Sequence, residues 1–492
     1  MKVSESMIYN KIISRLISPE KLILYVILIL AVILRISQVG WYDKDAVIYA
    51  LISRRIVIEG FSSFFERNGY WTSIDYRFGD HPPLFFLLVS FSFLVLGMDY
   101  INGCIVSLIA GIFAVLLVYV LAVELYDKKV GLLSSFLTAI LPWHIFFSSI
   151  ILVDMLGSTL ILLTMLLFFY AYKRGSLSVY ILMGVSLGIS LLTKYYAIMV
   201  PLIIVSFLFL SNRELLLNKH LWLAFGIAGV IFAPWLFFVG LYPLRHYAFT
   251  ITLREKVPNP NPFFVLTFLF AELTFPLFMF FVMGFLMALF RSYRLKGKLK
   301  ADLLLLIWII VPALVYTYGA IVNDLLHPYW NISGYLLLTV PAIAILASNS
   351  FFDVYSHLRT SISKMKAKIV TINFILLITI SLSILMWGRT TVGAFRFNGF
   401  FPFYDYHDTI GEVTVYIEEN ISEGVTLTSP LSSDLFLIRF YLGSSYNIIK
   451  SEDISQNESY YLIARFTTDG HLLKVFESKT HPNFAFYLYY IS

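Results

Sequence analysis

Residues 22–39 of the chain read LILYVILILAVILRISQV. This run is apolar enough for a membrane-spanning helix, which takes about 20 predominantly apolar residues. Four basic residues precede it: Lys2, Lys11, Arg15 and Lys21. A signal peptide has a shorter apolar part and a small-residue cleavage site, which this stretch lacks. We therefore expect an uncleaved anchor with the N-terminus in the cytoplasm and residue 40 outside, because basic flanks favour the cytoplasmic side.

The composition of the whole chain indicates a polytopic α-helical membrane protein. Its 492 residues are 59% hydrophobic and only 13% charged, whereas a soluble protein carries roughly 25% charged residues. The apolar runs are continuous and about 20 residues long, so an outer-membrane barrel of alternating strands is excluded. With one cysteine, Cys104, no disulfide within the chain is available. We attribute the net charge of +6 to basic cytoplasmic loops and not to nucleic-acid binding.

Eleven apolar runs are predicted to span the membrane. The first is residues 22–39, and the others are 101–123, 130–150, 154–172, 178–193, 195–210, 221–241, 263–290, 302–320, 331–349 and 369–387. The run at 83–97 is short for a span and, if it crossed, would reverse the side of every later loop. The basic stretch RSYRLKGKLK (291–300) would then lie outside, against the positive-inside bias. We therefore predict that residues 83–97 form a helix packed at the outer interface.

Three segments face outward under this topology: 40–100, 242–262 and the C-terminal tail. The tail changes to mixed polar and charged sequence. It contains a helix-like stretch, DTIGEVTVYIEEN, and strand-like runs such as YYLIARF and FAFYLYYI. We predict a membrane domain over residues 1–390 and a small extracytoplasmic α/β domain over residues 391–492.

The first outer loop, residues 40–100, holds the densest polar sequence in the chain. Asp43 and Asp45 follow the first span, and Asp80 and His81 precede two prolines at the start of the short apolar helix. One interpretation is structural, because an aspartate at a helix N-terminus accepts hydrogen bonds from backbone N–H groups. The other is catalytic, because a carboxylate can take the proton of a substrate hydroxyl. The sequence chemistry alone leaves both interpretations open.

Further ionisable residues lie near the predicted outer ends of later spans. They are His144, Asp154, Lys194, His246, Arg254, Lys256 and His327. Charges within or at the edge of a membrane are costly, so each marks a candidate site, although any single one is also explained as a side chain that snorkels to the interface. Their convergence on one face favours a site that deprotonates a hydroxyl and holds an anionic group.

Five segments occur in the order found in one enzyme superfamily. They are DKDAVIYALISRRIVIEG (43–60), DHPPLFFLL (80–88), ILVDMLGSTLILL (151–163), GISLLTKYYA (188–197) and HPYWNISGYLLLTVPAIAIL (327–346). In this order they resemble the glycosyltransferase-C (GT-C) superfamily, specifically the branch of the protein O-mannosyltransferases and the lipid A aminoarabinose transferases. The resemblance implies a GT-C fold whose HPP helix lies on the surface in the first outer loop, in agreement with the topology that the charges predict.

The resemblance also implies roles for individual residues. Asp45 takes the place of the family's catalytic aspartate, and Asp80 and His81 match a pair associated with the sugar and the lipid phosphate. Tyr329 matches an aromatic or basic residue near the donor phosphate, although the arginine common before that tyrosine is absent. The other residues expected to bind the donor are Asp154, Lys194, Arg254 and His327. The resemblance makes His246 an optional metal ligand, and Asp43 is a second one because Asp43-Lys44-Asp45 spells the D-x-D pattern of metal-dependent sugar transferases.

The implied reaction transfers a sugar from a polyprenyl-phosphate donor, such as a dolichyl phosphate, to an acceptor hydroxyl outside the cytoplasm. Asp45 would act as general base, and attack opposite the phosphate would invert the anomeric carbon. Fixed cations would stabilise the leaving phosphate, so no cofactor is required and a divalent metal is optional. The predicted partners are the lipid-linked donor, a protein, lipid or lipid-linked glycan acceptor, and the bilayer of the cell membrane.

Two other functions are alternatives to sugar transfer from a polyprenyl phosphate. A secondary transporter would bind its substrate at mid-depth between internal repeats. The sequence shows no such repeat, and its charges lie at the outer edge of the spans. A lipid-linked oligosaccharide transferase would carry a WWDYG-like acceptor motif in a larger soluble tail, and the tail lacks this motif. We therefore favour the membrane glycosyltransferase.

Overall fold

The computed structural model describes residues 18–39, 44–65, 81–239, 263–273, 275–294, 300–323, 334–361, 404–429, 446–448, 459–464, 470–477 and 485–491, with the single positions 373, 438 and 442. The helices of the N-terminal half are α1 (Pro19–Ile36), α2 (Lys44–Glu59), α3 (Leu84–Leu96), α4 (Tyr100–Leu125), α5 (Lys128–Ile140), α6 (Pro142–Ser149), α7 (Val153–Arg174), α8 (Leu177–Leu191), α9 (Met199–Ser211) and α10 (Lys219–Val239). Those that follow are α11 (Phe264–Glu272), α12 (Phe275–Arg294), α13 (Lys300–Asn323), α14 (Val340–Ser361) and α15 (Tyr404–Asn420). Short 3-10 turns at Phe61–Phe65, Tyr195–Ile198, Arg213–Leu217 and Leu337–Thr339 complete this part.

Six helices of the described chain are long and apolar enough to cross a membrane, namely α4, α7, α10, α12, α13 and α14 with the residues just before it. Helices α5 and α6 add a seventh span if they are counted as one broken segment. A helix is the natural form of these runs, because a backbone in lipid must satisfy its hydrogen bonds within the segment. The prediction of an α-helical polytopic membrane protein is confirmed.

The predicted number of 11 spans is not confirmed. Helix α1 carries the three charged residues Glu20, Lys21 and Arg35 and is not among the candidate spans. Helices α8 and α9 are shorter than the roughly 20 residues that cross a bilayer, even with the turn before α9 included. The last predicted span, 369–387, lies almost wholly outside the described residues.

The ambiguous run at 83–97 forms the short helix α3. It ends at Gly97, whose φ of 98° suits a glycine because no Cβ opposes that conformation. Ser90 of α3 donates a hydrogen bond to the carbonyl of Ser53 on α2, over 2.9 Å. The 13 residues of α3 are too few for a span on their own. Its position at the outer interface stays a prediction.

Helices α5 and α6 meet at a bend of 60°. Helix α5 starts with a conventional cap, because the Asp127 carboxylate accepts hydrogen bonds from two backbone N–H groups of its first turn. It stops before Pro142, which cannot donate the backbone hydrogen bond that a continuing helix needs. The predicted span 130–150 is therefore a broken helix.

Small and branched side chains pack α1 against α4 and α5. Ile27 and Ala31 of α1, Val115 of α4 and Ala139 of α5 form one buried cluster. Alanine allows close approach of helix backbones, which matters in a membrane because lipid offers no hydrophobic advantage to helix association.

An ion-pair network joins α12, α13 and α14 to the residue that follows α4. Arg291 Nε lies 2.8 Å from a carboxylate oxygen of Asp302, and Arg291 Nη1 lies 2.5 Å from one of Asp353. The Tyr126 hydroxyl also donates to Asp302, which is fully buried. Burial, followed by the charge of Asp302, raises the pKa of Tyr126 well above its usual value, so the hydroxyl remains a donor.

The C-terminal part contains α15 and a five-stranded sheet. Its strands are β1 (Thr426–Thr428), β2 (Asn447–Ile448), β3 (Tyr460–Ala464), β4 (His471–Glu477) and β5 (Ala485–Ile491), in the order β2-β1-β3-β5-β4. β1 runs parallel to both neighbours, whereas β5 is antiparallel to β3 and β4. The ring of Tyr416 on α15 packs on Phe476 of β4, with centroids 5.6 Å apart. The predicted α/β character of the tail is confirmed.

The chain divides into two compact units. The first consists of Met1–Ile36, Ile109–Ser148 and Asp154–Phe400. The second consists of Ser37–Leu108, Ser149–Val153 and Phe401–Ser492. The predicted domain boundary between residues 390 and 391 lies outside the described residues and stays a prediction.

Candidate active site

A buried ion pair joins Asp154 to Lys194 in the first unit. Asp154 lies in the first turn of α7, and Lys194 lies in the extended residue between α8 and the turn that precedes α9. Each side chain is only 7% exposed, and the Lys194 ammonium contacts Asp154 Oδ1 directly. A charge buried to this degree needs a partner, so each member of the pair neutralises the other.

Two tyrosines enclose this pair. The Lys194 ammonium lies 5.2 Å from the ring centroid of Tyr196 and 4.9 Å from that of Tyr335. The Tyr196 hydroxyl donates a hydrogen bond over 3.0 Å to the backbone carbonyl of Asp154. Aromatic faces attract a cation within about 6 Å of their centroid. The ammonium is therefore held by one carboxylate and two rings.

Two glycines leave room for the pair. A Cβ atom at Gly334 would overlap the Asp154 carboxylate, and one at Gly157 would lie 3.0 Å from the Tyr196 hydroxyl and 3.3 Å from Lys194 Cβ. These backbones thus approach the charged groups more closely than any other residue would permit. The space around the pair therefore depends on the absence of a Cβ atom at these two positions.

The ammonium of this pair can bind an anionic group in addition to Asp154. An ammonium group has three donors, and the contact with Asp154 engages one of them. The remaining donors suit phosphate or sulfate oxygens, which form strong charge-assisted hydrogen bonds with lysine. Asp154 holds the ammonium in one position within the fold.

A second group of polar residues lies in the second unit. Asp45 is exposed in the first turn of α2, and Tyr49 follows one turn later on the same helix face. The Tyr49 ring packs edge-on against the His81 imidazole, with centroids 5.4 Å apart, and against Phe86 at 5.3 Å. Tyr49 itself is buried. This contact brings His81 next to the helix face that carries Asp45.

The position of Asp45 in α2 bears on its structural interpretation as a helix cap. Helix α2 begins at Lys44, so Asp45 lies inside the first turn and not before it. A carboxylate there gains about 0.3–1 kcal/mol from the helix dipole. That gain does not exclude a role in binding or catalysis, and Asp45 is exposed.

Comparison with protein families gives one match. The family model of the dolichyl-phosphate-mannose-protein mannosyltransferases matches residues 80–238, a stretch that includes His81, Asp154 and Lys194. Among solved structures, ArnT from Cupriavidus metallidurans bound to undecaprenyl phosphate has a TM-score of 0.63 at 12% identity, over 95% of this chain and 97% of that one. This chain therefore has the GT-C fold.

The GT-C fold extends to a second group of proteins. The oligosaccharyltransferase of Archaeoglobus fulgidus in its apo form has a TM-score of 0.63 at 15% identity, over 88% of this chain. The GT-C chain described here spans about 65% of the length of that enzyme. A comparison with curated proteins finds no match.

The structure of this GT-C protein describes four of the predicted site residues. It brings Asp154 together with Lys194, and it brings His81 to the helix that carries Asp45. The other predicted site residues lie outside the described part of the chain: Asp43, Asp80, His246, Arg254, His327 and Tyr329. Their roles stay predictions.

The described part of this GT-C protein holds no group of three or more histidine, cysteine, aspartate or glutamate side chains placed to bind a metal. The Archaeoglobus fulgidus oligosaccharyltransferase has also been crystallised with Zn and sulfate. That form has a TM-score of 0.56 at 15% identity, over 89% of this chain and 68% of that one. A divalent metal is therefore not excluded by the fold.

Sequence reasoning missed the aromatic residues of both groups. Tyr49 follows Asp45 by four positions, which is the spacing of two residues on one helix face. Tyr196 follows Lys194 by two positions, within the motif GISLLTKYYA. Both spacings are visible in the sequence and indicate that each tyrosine lies near its charged neighbour. The contact of Tyr335 with Lys194 had no such signal, because the two residues are distant in the chain.

Proposed function

We propose that this protein transfers a sugar from a polyprenyl-phosphate donor to an acceptor hydroxyl at the outer face of the cell membrane, with inversion of the anomeric carbon. The observation that carries the proposal is the buried Lys194, held by Asp154 and two tyrosine rings in a GT-C fold. The ArnT structure with undecaprenyl phosphate supports a donor of this chemical class.

The location of the reaction follows from the charge distribution. Basic loops favour the cytoplasmic side, which puts the N-terminus inside and Asp45 and the C-terminal domain outside. Nucleotide sugars are normally absent there, so the donor arrives in the membrane with its headgroup at the outer surface. A lipid-phosphate sugar meets both requirements.

Asp45 is the proposed general base. It takes the proton of the acceptor hydroxyl while the acceptor oxygen attacks the anomeric carbon, and the bond from that carbon to the phosphate oxygen breaks. The exposure of Asp45 at the start of α2 supports this role. The proton then passes from Asp45 to water.

Lys194 is the proposed cation for the donor phosphate. As the glycosidic bond breaks, negative charge grows on the departing polyprenyl phosphate. A fixed positive charge lowers the barrier because it is already in place when this charge develops. The carboxylate of Asp154 and the rings of Tyr196 and Tyr335 provide this preorganisation. We also propose that Asp80, His81, Arg254, His327 and Tyr329 take part in donor binding, with Asp80 and His81 associated with the sugar and the lipid phosphate.

The test is transfer by the purified protein from a polyprenyl-phosphate sugar, with Asp45→Asn as the variant. Loss of a general base typically slows a reaction by about 10²–10⁴-fold. If Asp45 only supports the helix, the change removes the dipole interaction, costs no more than about 1 kcal/mol, and leaves turnover near normal. Thermal stability measured alongside shows that the variant is folded.

Asp99→Asn is the matched control. Asp99 accepts a hydrogen bond from the backbone N–H of Ile101 at the start of α4, over 2.8 Å, and asparagine accepts the same bond. This variant should keep its turnover. Normal turnover in a stable Asp45→Asn variant would remove Asp45 from the mechanism. Transfer from a lipid-diphosphate oligosaccharide, with none from the monophosphate sugar, would favour an oligosaccharide transferase instead.

A further inference from the structure

Arg35 is a fully buried arginine that the proposed reaction does not use. It lies in the last turn of α1, and its guanidinium reaches across to the bend between α5 and α6. Nη1 donates to the carbonyl of Ala139 over 3.1 Å, and Nη2 donates to the carbonyl of Thr138 over 3.4 Å. Nη2 also lies 2.7 Å from Nδ1 of His144 on α6.

The two carbonyls are available because the helix is broken there. Helix α5 ends at Ile140, so its last carbonyls have no partner within the helix. A continuing helix would pair the Thr138 carbonyl with residue 142, but Pro142 has no N–H to donate. In a membrane an unpaired carbonyl costs several kcal/mol. Arg35 supplies the missing donors from a neighbouring helix.

The contact with His144 fixes the histidine as well. A guanidinium only donates hydrogen bonds, so Nδ1 of His144 must accept, and the imidazole is neutral with its proton on Nε2. The Ser148 hydroxyl donates to the His144 carbonyl over 2.5 Å. A Cβ at Gly111 of α4 would overlap the Ser148 side chain and lie 3.2 Å from Arg35 Nε. The arrangement therefore joins α1, α4, α5 and α6 at one point.

Helix α7, which carries Asp154, is attached next to this point. Thr159 of α7 donates a hydrogen bond over 3.1 Å to the carbonyl of Ala110, the residue before Gly111. Thr159 lies five residues after Asp154, so the bond anchors the turn that follows the carboxylate. Displacement of α4 and α6 at the bend would move the start of α7 and, with it, Asp154.

We infer that Arg35 is a positioning residue for the Asp154–Lys194 pair. By holding the α5–α6 bend, it places the start of α7 where the carboxylate meets Lys194. This role rests on the proposed function, because the pair is the proposed site of the donor phosphate. A misplacement of about 1 Å in such a site is enough to lower activity by about 100-fold.

The experiment measures binding of undecaprenyl phosphate to the full-length protein, alongside transfer from the corresponding phospho-sugar. We expect Lys194→Met to weaken binding by about 10–100-fold, the usual value of a hydrogen bond to a charged group. Arg35→Met should weaken it by about 10-fold. The double variant should bind as weakly as Lys194→Met alone, within about twofold, because Arg35 acts through Lys194.

Two outcomes would overturn the inference. Binding by Arg35→Met as tight as in the unchanged protein would show that the bend does not position the pair. A double variant whose losses multiply would show that Arg35 acts independently of Lys194, as a purely structural residue would. Failure of the unchanged protein to transfer sugar, in contrast, would count against the proposed function itself.

A second pair of variants keeps the test decisive if Arg35→Met does not fold. His144→Asn places an amide oxygen near the position of Nδ1 and should preserve binding of undecaprenyl phosphate. His144→Leu removes the acceptor and should weaken binding about as much as Arg35→Met, again without further effect beside Lys194→Met. Equal binding by the asparagine and leucine variants would contradict the inference.

Discussion

Removal of one member of the Asp154–Lys194 pair should cost more than removal of both. The two side chains are each 7% exposed, so water screens the remaining charge poorly. Breaking a buried pair by removing one partner typically costs about 3–5 kcal/mol, whereas replacing both by neutral groups of similar size is often close to neutral. We compare Asp154→Asn, Lys194→Met and the double variant.

The structure makes the two single variants unequal. In Asp154→Asn the ammonium keeps the rings of Tyr196 and Tyr335, and the amide oxygen still accepts a hydrogen bond, so the loss should be near 3 kcal/mol. In Lys194→Met the carboxylate is left without its ammonium, and the loss should approach 5 kcal/mol. The double variant should lose less than either, a coupling of at least about 5 kcal/mol.

The assay is reversible unfolding in mixed detergent micelles, with binding of undecaprenyl phosphate measured on the same samples. Binding should rank the two single variants in the same order as stability, with Lys194→Met the more affected. Asp154→Asn keeps the lysine but loses the carboxylate that positions it, so it should weaken binding by about 10-fold, as expected for Arg35→Met, whereas Lys194→Met should weaken binding by up to about 100-fold. Additive losses of stability, or equal binding by the two single variants, would refute the reasoning.

Two further predictions concern topology and metal. In a variant whose single cysteine, Cys104, has been replaced, new cysteines at Ser176, Ser292 and Ser356 should resist an impermeant thiol reagent in intact cells. A new cysteine at Ser432 should react with it. Labelling at Ser292 would show that residues 83–97 cross the membrane. Treatment with EDTA should leave transfer within about threefold of its original rate, because fixed cations stabilise the monophosphate leaving group. Loss of activity that returns with added Zn²⁺ or Mn²⁺ would contradict the second prediction.

The fold class could be predicted from the sequence because lipid leaves few choices to the backbone. Long apolar runs become helices, and the order of five motifs is similar to that of the GT-C superfamily. The number of spans could not be predicted in the same way. Pro142 divides one apolar run into two short helices, and the runs at 178–193 and 195–210 form helices shorter than a bilayer is thick.

The candidate site was only partly predictable for a related reason. Lys194 and Asp154 each stand out as a charge beside an apolar run, but 40 residues separate them, and only the fold makes them partners. Arg35 was read as part of the first span, because nothing local indicates that its guanidinium reaches the bend at Pro142. Strand β4 was missed in the tail as well, since its side chains are mostly exposed and show no alternation.

The network around Asp302 also joins charges that enter the chain at different times during synthesis. Arg291 and Asp302 are 11 residues apart on consecutive helices, so they can neutralise each other as soon as that helical hairpin enters the bilayer. Asp353, on α14, reaches the same arginine only after a longer stretch of chain has been made. Arg291 and Asp302 can thus pair before α14 has been made. During synthesis Asp302 becomes available to Arg291 first, and Asp353 follows about 50 residues later.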